Sequence, residues 1–100
     1  MRESRYRESR ICRVLGNPVV YAIILMLEEQ GPVSPSNIAK AVRRRLQTVS
    51  GHLAILRGVD LVHYDRKGGQ TRYWLKHASE TKRLLLALRA LVQVSGHMAD

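Results

Sequence analysis

Apolar residues in the first third of the chain recur at the spacing of α-helices. Residues 2–15 are charged at first and apolar in their second half, and they predict a first helix. Gly16 breaks it, and Asn17-Pro18 predicts a capping residue followed by a proline at the first helical position, where the missing N–H costs nothing. The second helix then carries one apolar face, formed by Val20, Ile23, Ile24 and Leu27. We expect it to be the core helix and to end before Gly31.

Residues 34–58 predict two short helices separated by a basic turn. Ser34-Pro35 repeats the pattern of cap and proline and opens a third helix. The run Arg43-Arg44-Arg45 follows, and a fourth helix is predicted over about 46–57, with Gly58 where a C-terminal glycine is expected. At 100° per residue, the fourth helix has an apolar face formed by Val49, Leu53 and Leu56. Its opposite face is small and polar.

The remaining residues predict a β-hairpin and a long last helix. Residues 61–65 and 71–75 are rich in β-branched and aromatic side chains, and they flank a loop over 66–70 that contains two glycines. Ser79 is expected to cap the last helix. The apolar residues of that helix fall at helical spacing: Leu84, Leu85, Leu88, Leu91 and Val92. The predicted fold is therefore mainly α with a small β-hairpin, a winged helix-turn-helix, in one domain over residues 1–100.

The charge of the chain indicates a polyanionic partner. Seventeen Lys and Arg against eight Asp and Glu give a net charge of +9. Nine basic and two acidic residues lie in residues 40–77, so the basic surface is concentrated in the middle of the chain. Nucleic acid is the favoured partner over a membrane surface. The longest apolar run, residues 19–27, is shorter than the roughly 20 residues that cross a bilayer, and no secretory signal is evident, so we expect a cytoplasmic protein.

Residues 15–75 resemble the ArsR type of small transcriptional repressor. The resemblance is carried by Leu15-Gly16-Asn17-Pro18, by Thr48-Val49-Ser50-Gly51-His52-Leu53 with Leu56-Arg57, and by Leu61-Val62, Gly68-Gly69, Tyr73 and Leu75. It implies a winged helix-turn-helix whose fourth helix is the recognition helix. The sequence departs from the family's usual turn, because Arg43 and Arg45 stand where a glycine and a serine cap are common. Gly51 stands where the family commonly has His or Arg.

Two kinds of DNA contact are predicted around the fourth helix. The residues assigned to phosphates are Arg43, Arg44, Arg45, Lys67 and Arg72, and those assigned to base edges are Gln47, Thr48 and Ser50. Gly51 is expected on the same DNA-binding surface, where it offers no base-reading side chain. Gln70 belongs with the wing. Each group has a plainer interpretation: the arginine run as a solvated charge cluster, the wing charges as protection of an edge strand, and the polar helix face as ordinary surface.

The first and last helices are predicted to be dimerisation elements, because the last helix has more apolar surface than one core requires. The predicted interface consists of Ile11, Cys12, Leu84, Leu85, Leu88, Leu91 and Val92. A two-fold dimer would present two recognition helices to successive major grooves. Cys12 is the only cysteine, so it is expected either to pack as a small apolar residue or to meet its symmetry mate.

No metal, cofactor or catalytic activity is expected. The cysteine pair of the family's third-helix metal sensors is missing, since Ser34-Pro35-Ser36 occupies that stretch. His77 with Glu80, and His97 with Asp100, are two-ligand pairs twenty residues apart, which is too little for a tight site. The sequence has no phosphate-binding glycine loop and no nucleophile with a base at suggestive spacing.

The sequence thus predicts a dimeric, sequence-specific regulator of transcription that binds double-stranded DNA, and we expect a repressor. Two alternatives stay open at this point. The same basic surface would serve a winged-helix component of a ribonucleoprotein, and a winged helix can also be used for protein contacts. A preference for duplex DNA over RNA, and the oligomeric state of the free protein, distinguish them.

Overall fold

The computed structural model describes residues 2–96, which form five helices and one β-hairpin. The elements are α1 (Glu3–Leu15), α2 (Pro18–Gln30), α3 (Pro35–Val42), α4 (Leu46–Gly58), β1 (Val62–Lys67), β2 (Gln70–Leu75) and α5 (Ala78–Val94). This order confirms the predicted mainly helical winged helix-turn-helix. The first four helices begin within one residue of their predicted positions.

Side-chain caps fix the starts of α2 and α3. The Asn17 carboxamide oxygen accepts hydrogen bonds from the backbone N–H groups of Val19 and Val20 at 2.8 and 3.2 Å. The Ser34 hydroxyl oxygen accepts one from the N–H of Asn37 at 3.2 Å. The cap predicted for α5 is wrong, because that helix begins at Ala78 and its capping residue, His77, makes no side-chain cap bond.

The core is built on α2 and α4. The buried apolar residues are Val20, Ile23, Ile24, Leu27, Val33, Ile38, Ala39, Val49, Leu53, Leu56, Val62, Leu75 and Leu85. They include the whole apolar face predicted for α2 and the whole apolar face predicted for α4. Burial of that α4 face fixes the rotation of the helix, so its polar side must face outward.

The hairpin is longer and its turn tighter than the sequence indicates. Strands β1 and β2 pair antiparallel from Val62 opposite Leu75 to Lys67 opposite Gln70. Only Gly68 and Gly69 remain in the turn, with φ of 58° and 80°. Two successive positive φ values are those of a type I′ turn, which matches the right-handed twist of the strands and favours glycine. The loop predicted over five residues is therefore a two-residue turn.

Val33 adds a third extended segment beside β2. Its N–H donates to the carbonyl of Tyr73 at 2.9 Å, and the N–H of Tyr73 donates back at 2.8 Å. This bridge follows Gly31-Pro32, where the sequence predicts only a turn. It ties the connection between α2 and α3 to the wing.

Helices α3 and α4 both end in a Schellman motif without glycine. After α3, the N–H of Arg44 donates to the carbonyl of Ala39, and Arg43 adopts a left-handed conformation with φ of 56°. After α4, the N–H of Leu61 donates to the carbonyl of Leu56, and Asp60 has φ of 66°. Gly58, expected to end α4 as its C-terminal glycine, is instead the last helical residue.

Helix α5 leaves most of its apolar surface exposed. Within it only Thr81 and Leu85 are buried. Leu85 is 1% exposed and belongs to the core of a single chain, so its predicted place in a dimer interface is corrected. The large apolar residues of α5 that stay exposed are Leu84, Leu86, Leu91, Val92 and Val94. Leu88 is half-buried and Cys12 of α1 is exposed.

No single helix in residues 2–96 has both the length and the apolar composition needed to cross a membrane. Helices α1 and α2 reach that length and apolar composition only when they are taken together, and the chain bends by 94° between them.

Candidate nucleic-acid interface

The outer face of α4 is a polar surface of short side chains at the N-terminal end of the helix. Gln47, Thr48, Ser50 and Gly51 are all exposed, whereas Val49 between them is fully buried. A Cβ added at Gly51 would meet no atom within 4 Å, so this position is open on the outside of the helix. Gln47, Thr48 and Ser50, which are predicted to contact base edges, therefore share one accessible face with Gly51, and this face is free of bulky charged side chains.

This face is continuous with the start of α3 and with the tip of the wing. The three segments line one open depression, whose residues are Ser34, Pro35, Ser36, Asn37, Leu46, Ser50, Gly69, Gln70 and Thr71. The structure thus brings Ser50 and Gln70 together, as a shared DNA-binding surface requires. Asn37, Ser36 and Thr71 were missed, although Ser36 and Asn37 lie in the first turn of α3 and could have been found from the polar start of that helix.

The basic turn between α3 and α4 is exposed, but its three arginines differ in their surroundings. Arg44 Nη1 donates to the carbonyl oxygens of Val42 and Arg43 at 3.4 and 3.0 Å, so this guanidinium caps the end of α3. Arg45 occupies the N-cap of α4 and its side chain makes no cap bond there. Arg43 projects from the left-handed position. Their positive charges surround the N-terminal end of α4, where the helix dipole adds to the attraction for phosphate.

The wing places its three predicted DNA contacts, Lys67, Gln70 and Arg72, on one face of the hairpin, because side chains two positions apart along a strand share a face. Lys67 and Gln70 flank the glycine turn and are exposed. Arg72 is half-buried, lies opposite Asp65 in the strand pairing, and brings its Nε to 3.9 Å from Asp65 Oδ1. Because side chains alternate across a strand, Arg72 and Thr71 point to opposite faces. Arg66, which lies opposite Thr71 and is exposed, is the wing arginine on the Thr71 side, and it was missed.

Aromatic packing connects the end of α4 to the wing. The rings of Tyr64 and Tyr73 stack across the strands with centroids 5.2 Å apart, and the Arg57 guanidinium lies 5.0 Å from the Tyr64 centroid. A cation over an aromatic face is a stabilising contact. Tyr64 and Tyr73 are therefore packing residues of the hairpin, and the contact of Tyr64 with Arg57 joins the wing to α4.

A second polar cluster lies at the opposite end of α4. Asp60 accepts a hydrogen bond from Lys76 Nζ at 2.7 Å, and its Oδ2 lies 3.0 Å from His77 Nε2. The hydrogen bond from Lys76, with that from His77 next, lowers the pKa of Asp60 to about 2. The cluster joins the end of α4 to the segment between β2 and α5.

Metal-ligating side chains do not gather within residues 2–96: no group of three or more His, Cys, Asp or Glu is close enough to hold an ion. His77 contacts Asp60, a residue that the sequence pattern had not paired with it. The other predicted pair, His97 with Asp100, lies outside the described residues.

The comparison with known families now decides the family. A family model described as a helix-turn-helix domain matches residues 15–65, which run from the end of α1 into the wing. The chain belongs to this helix-turn-helix family. No curated protein sequence is a significant match.

Solved structures share the architecture over almost the whole chain. The chain is similar to a possible transcriptional regulatory protein, fragment 1–100, from Mycobacterium bovis, with 25% identity, a TM-score of 0.78, and 91% and 96% of the two chains covered. A solution structure of a homodimeric winged helix-turn-helix DNA-binding domain from M. bovis, a possible ArsR-family regulator, has 24% identity and a TM-score of 0.76, with 100% and 96% covered. HlyU from Vibrio cholerae has 21% identity and a TM-score of 0.74, with 88% of this chain and 97% of that chain covered. The helix-turn-helix member described here thus has the ArsR-type winged fold.

Proposed function

We propose that this protein is a dimeric, sequence-specific regulator of transcription that binds double-stranded DNA. In this proposal α4 enters the major groove and the wing reaches the backbone or the minor groove. The observation that carries it is the exposed, short-chained polar face of α4, flanked on one side by the arginine turn and on the other by the wing tip. Small hydrogen-bonding side chains fit close to base edges, which longer solvated side chains would hold away.

The positive charges next to that face support a duplex partner. Arg43 and Arg45 in the turn, and Arg66 and Lys67 on the wing, are exposed on both sides of α4. Phosphate contacts of this kind position a protein on DNA and release condensed counterions, so they carry affinity without sequence information. Gln47, Thr48 and Ser50 are proposed to supply the sequence information. The M. bovis domain of the same fold is a homodimeric DNA-binding domain, which supports both parts of the proposal.

The dimer is proposed to form through α1 and α5, with the exposed side of α5 as its centre. At 100° per residue, Leu84, Leu91 and Val94 lie on one side of the helix, next to the buried row of Thr81 and Leu85. Exposed apolar surface of this kind is typical of a protein–protein interface. We propose repression as the mode of regulation, because occupancy of an operator is sufficient for it. A DNA-binding role also fits the cytoplasmic location expected from the sequence.

Two single substitutions test whether α4 reads bases. Lys67→Ala is expected to weaken binding to a high-affinity duplex and to a scrambled duplex alike, and to lower the salt slope by about one. Gln47→Ala is expected to reduce the preference for the high-affinity duplex by roughly 1–3 kcal/mol and to leave scrambled-duplex binding unchanged. Affinities measured by fluorescence anisotropy at several salt concentrations check both expectations.

Two results would contradict different parts of this proposal. If Gln47→Ala and Lys67→Ala behave alike in salt slope and in preference, α4 does not read bases. If duplex RNA of equal length binds as well as DNA, a ribonucleoprotein role becomes the better account. The matched control is Lys40→Ala, which removes an exposed lysine from α3 outside the depression lined by α4 and the wing tip.

A further inference from the structure

The first residue of α4 is a leucine that the fold of the chain leaves half uncovered. Leu46 exposes 47% of its surface and is not one of the buried core residues. It lies three positions before Val49, so it continues the apolar row of α4 one turn beyond the buried residues. A single exposed leucine is common on protein surfaces and by itself indicates nothing. Leu46 differs from such a residue in its position within the proposed DNA surface.

Leu46 lines the depression that the start of α3, the start of α4 and the wing tip form together. Basic side chains lie next to these segments in the chain, at Arg45 before α4 and at Lys67 before the glycine turn, and both are exposed. The charges suited to phosphates are therefore close by in the chain, whereas the lining itself is suited to uncharged groups. The residues that line the depression with Leu46 are all uncharged: Ser34, Pro35, Ser36, Asn37, Ser50, Gly69, Gln70 and Thr71.

The major groove of a duplex offers one kind of apolar group to a leucine. Guanine, cytosine and adenine show hydrogen-bond donors and acceptors at their major-groove edges, whereas thymine adds a C5-methyl group. A leucine side chain held against donors and acceptors removes water from them without replacing its hydrogen bonds, which is unfavourable. Against a methyl group, the same side chain buries apolar surface and is stabilised. The N-terminal residues of a recognition helix are the ones that contact base edges, and Leu46 is the first residue of α4.

We propose that Leu46 makes DNA recognition by this protein depend on thymine, by packing on the C5-methyl group of one thymine in each half-site. This inference rests on the proposed function, because it requires α4 in the major groove. Ser50 lies four positions further along the same side of α4 and lines the same depression. Leu46 and Ser50 thus present an apolar group beside a hydroxyl donor, which matches the methyl group and the O4 acceptor of thymine. A base without the methyl group is disfavoured at this position, so the contact contributes to specificity.

Replacing thymine by uracil removes the methyl group and keeps the base pair. The duplex that the wild-type chain selects from a random-sequence pool is prepared twice, once with thymidine and once with 2′-deoxyuridine at every thymidine position. Affinities for both are measured by fluorescence anisotropy. We expect the uracil duplex to bind at least about fivefold more weakly, because a dimer loses one buried methyl contact in each half-site. Equal affinities, or a selected half-site that contains no thymine, would overturn the proposal.

Variants of α4 show whether Leu46 is the side chain that contacts the methyl group. The quantity compared is the ratio of the affinity for the thymine duplex to that for the uracil duplex. Leu46→Ala is expected to bring this ratio close to one, whereas Leu46→Met keeps a large apolar side chain and should retain most of it. Ile55→Ala is the matched control, because Ile55 is 50% exposed on the same helix but does not line the depression. Its ratio should equal that of the wild type.

The same measurements distinguish a contact with the base from two other effects of Leu46. A ratio that survives in Leu46→Ala would overturn the proposal, since the methyl groups would then act through another side chain or through the shape of the duplex. Equal weakening of the thymine, uracil and scrambled duplexes by Leu46→Ala would also overturn it, because Leu46 would then contact the sugar–phosphate backbone. Thermal unfolding of each variant shows that the chain is folded, which is expected because Leu46 is half exposed.

The outcomes also separate this inference from the proposed function. A wild-type chain that prefers one duplex sequence but binds its uracil form equally well would overturn the thymine contact and leave the proposed function supported. A wild-type chain that prefers no duplex sequence would overturn both. A preference that is lost in the uracil duplex and in Leu46→Ala, and kept in Ile55→Ala, is the result that the structure predicts.

Discussion

At the scale of single residues, the turn between α3 and α4 combines backbone strain with surface charge. Arg43 occupies a left-handed conformation that costs an L-residue with a side chain roughly 1–2 kcal/mol relative to the right-handed region. Arg45 occupies a helix N-cap without a capping side chain. A glycine and a serine would serve the fold better at these positions. The two arginines therefore lower the free energy of unfolding relative to glycine and serine, and the proposed phosphate contacts give a reason for their presence.

Replacing Arg43 by glycine is expected to stabilise the fold and weaken DNA binding. Arg43→Gly relieves the left-handed strain and should raise the free energy of unfolding by about 0.5–1 kcal/mol, after the entropy that glycine adds to the unfolded chain. Arg43→Ala is the matched control, because it removes the same charge and keeps the Cβ. Both variants should lower the salt slope of DNA binding by about one, while chemical denaturation shows a gain for Arg43→Gly alone. Equal stability of the two variants would contradict the strain argument.

At the scale of elements, Asp60 connects the end of α4 to the start of α5. It holds the left-handed position that ends α4, and its carboxylate binds Lys76 and His77, which precede α5. Aspartate tolerates this backbone conformation better than most residues. The ion pairs and hydrogen bonds, about half exposed to solvent, orient the start of α5 relative to the end of α4.

The Asp60 contacts predict a pH dependence of stability. The folded-state pKa is about 2, below the usual 3.8, so the stabilisation is present above pH 3.8 and is lost as the pH falls through about 2. Asp60→Asn keeps a residue that tolerates positive φ and removes the charge. Thermal unfolding at neutral pH should show the variant to be less stable, and the difference should shrink as the pH falls below 3.8. A difference that is constant from neutral pH to pH 2 would show that the charge is not the cause.

The sequence predicts an element well where the interactions that form it join residues close together in the chain, and poorly where they join distant residues. Asn17 and Ser34 cap helices within three residues of their own positions, so their sequence pattern was sufficient. The bridge between Val33 and Tyr73 is made by residues forty positions apart, and no local pattern reports it. The face on which Arg72 lies depends on strand register, and a shift of one residue would reverse it. Leu85 and Leu91 look alike in sequence, and only the tertiary packing places Leu85 in the core and Leu91 on the surface.

At the scale of the whole molecule, the proposed function assigns one face of the chain to a duplex and another to a second copy. The outer face of α4 and the wing tip carry the polar and basic groups. Helix α5 presents apolar side chains that the single chain leaves uncovered, among them Leu91 at 62% and Val94 at 81% exposure. A closed two-fold dimer built on this side of α5 would cover that surface and duplicate the DNA-binding face.

Leu91→Glu is expected to give folded monomers. Leu91 is exposed in the single chain, so a charge there should leave the fold intact and place an unpaired carboxylate in the proposed interface. Leu86→Glu is the matched control, since Leu86 is also half exposed but lies about 140° away around the helix. Light scattering at micromolar concentration should find the wild type and Leu86→Glu dimeric. A monomeric wild type, or a Leu91→Glu variant that stays dimeric, would contradict this interface.

The sequence of the preferred duplex tests the central claim most directly. Duplexes bound by the wild-type chain are selected from a random-sequence pool and sequenced after several rounds. Two α4 helices related by a two-fold axis and placed in successive major grooves, roughly 34 Å apart, require an inverted repeat whose half-site centres lie about 10 base pairs apart. We predict such a repeat. A pool that shows no enriched sequence, or one enriched in a single site without symmetry, would contradict a dimer that reads DNA through α4.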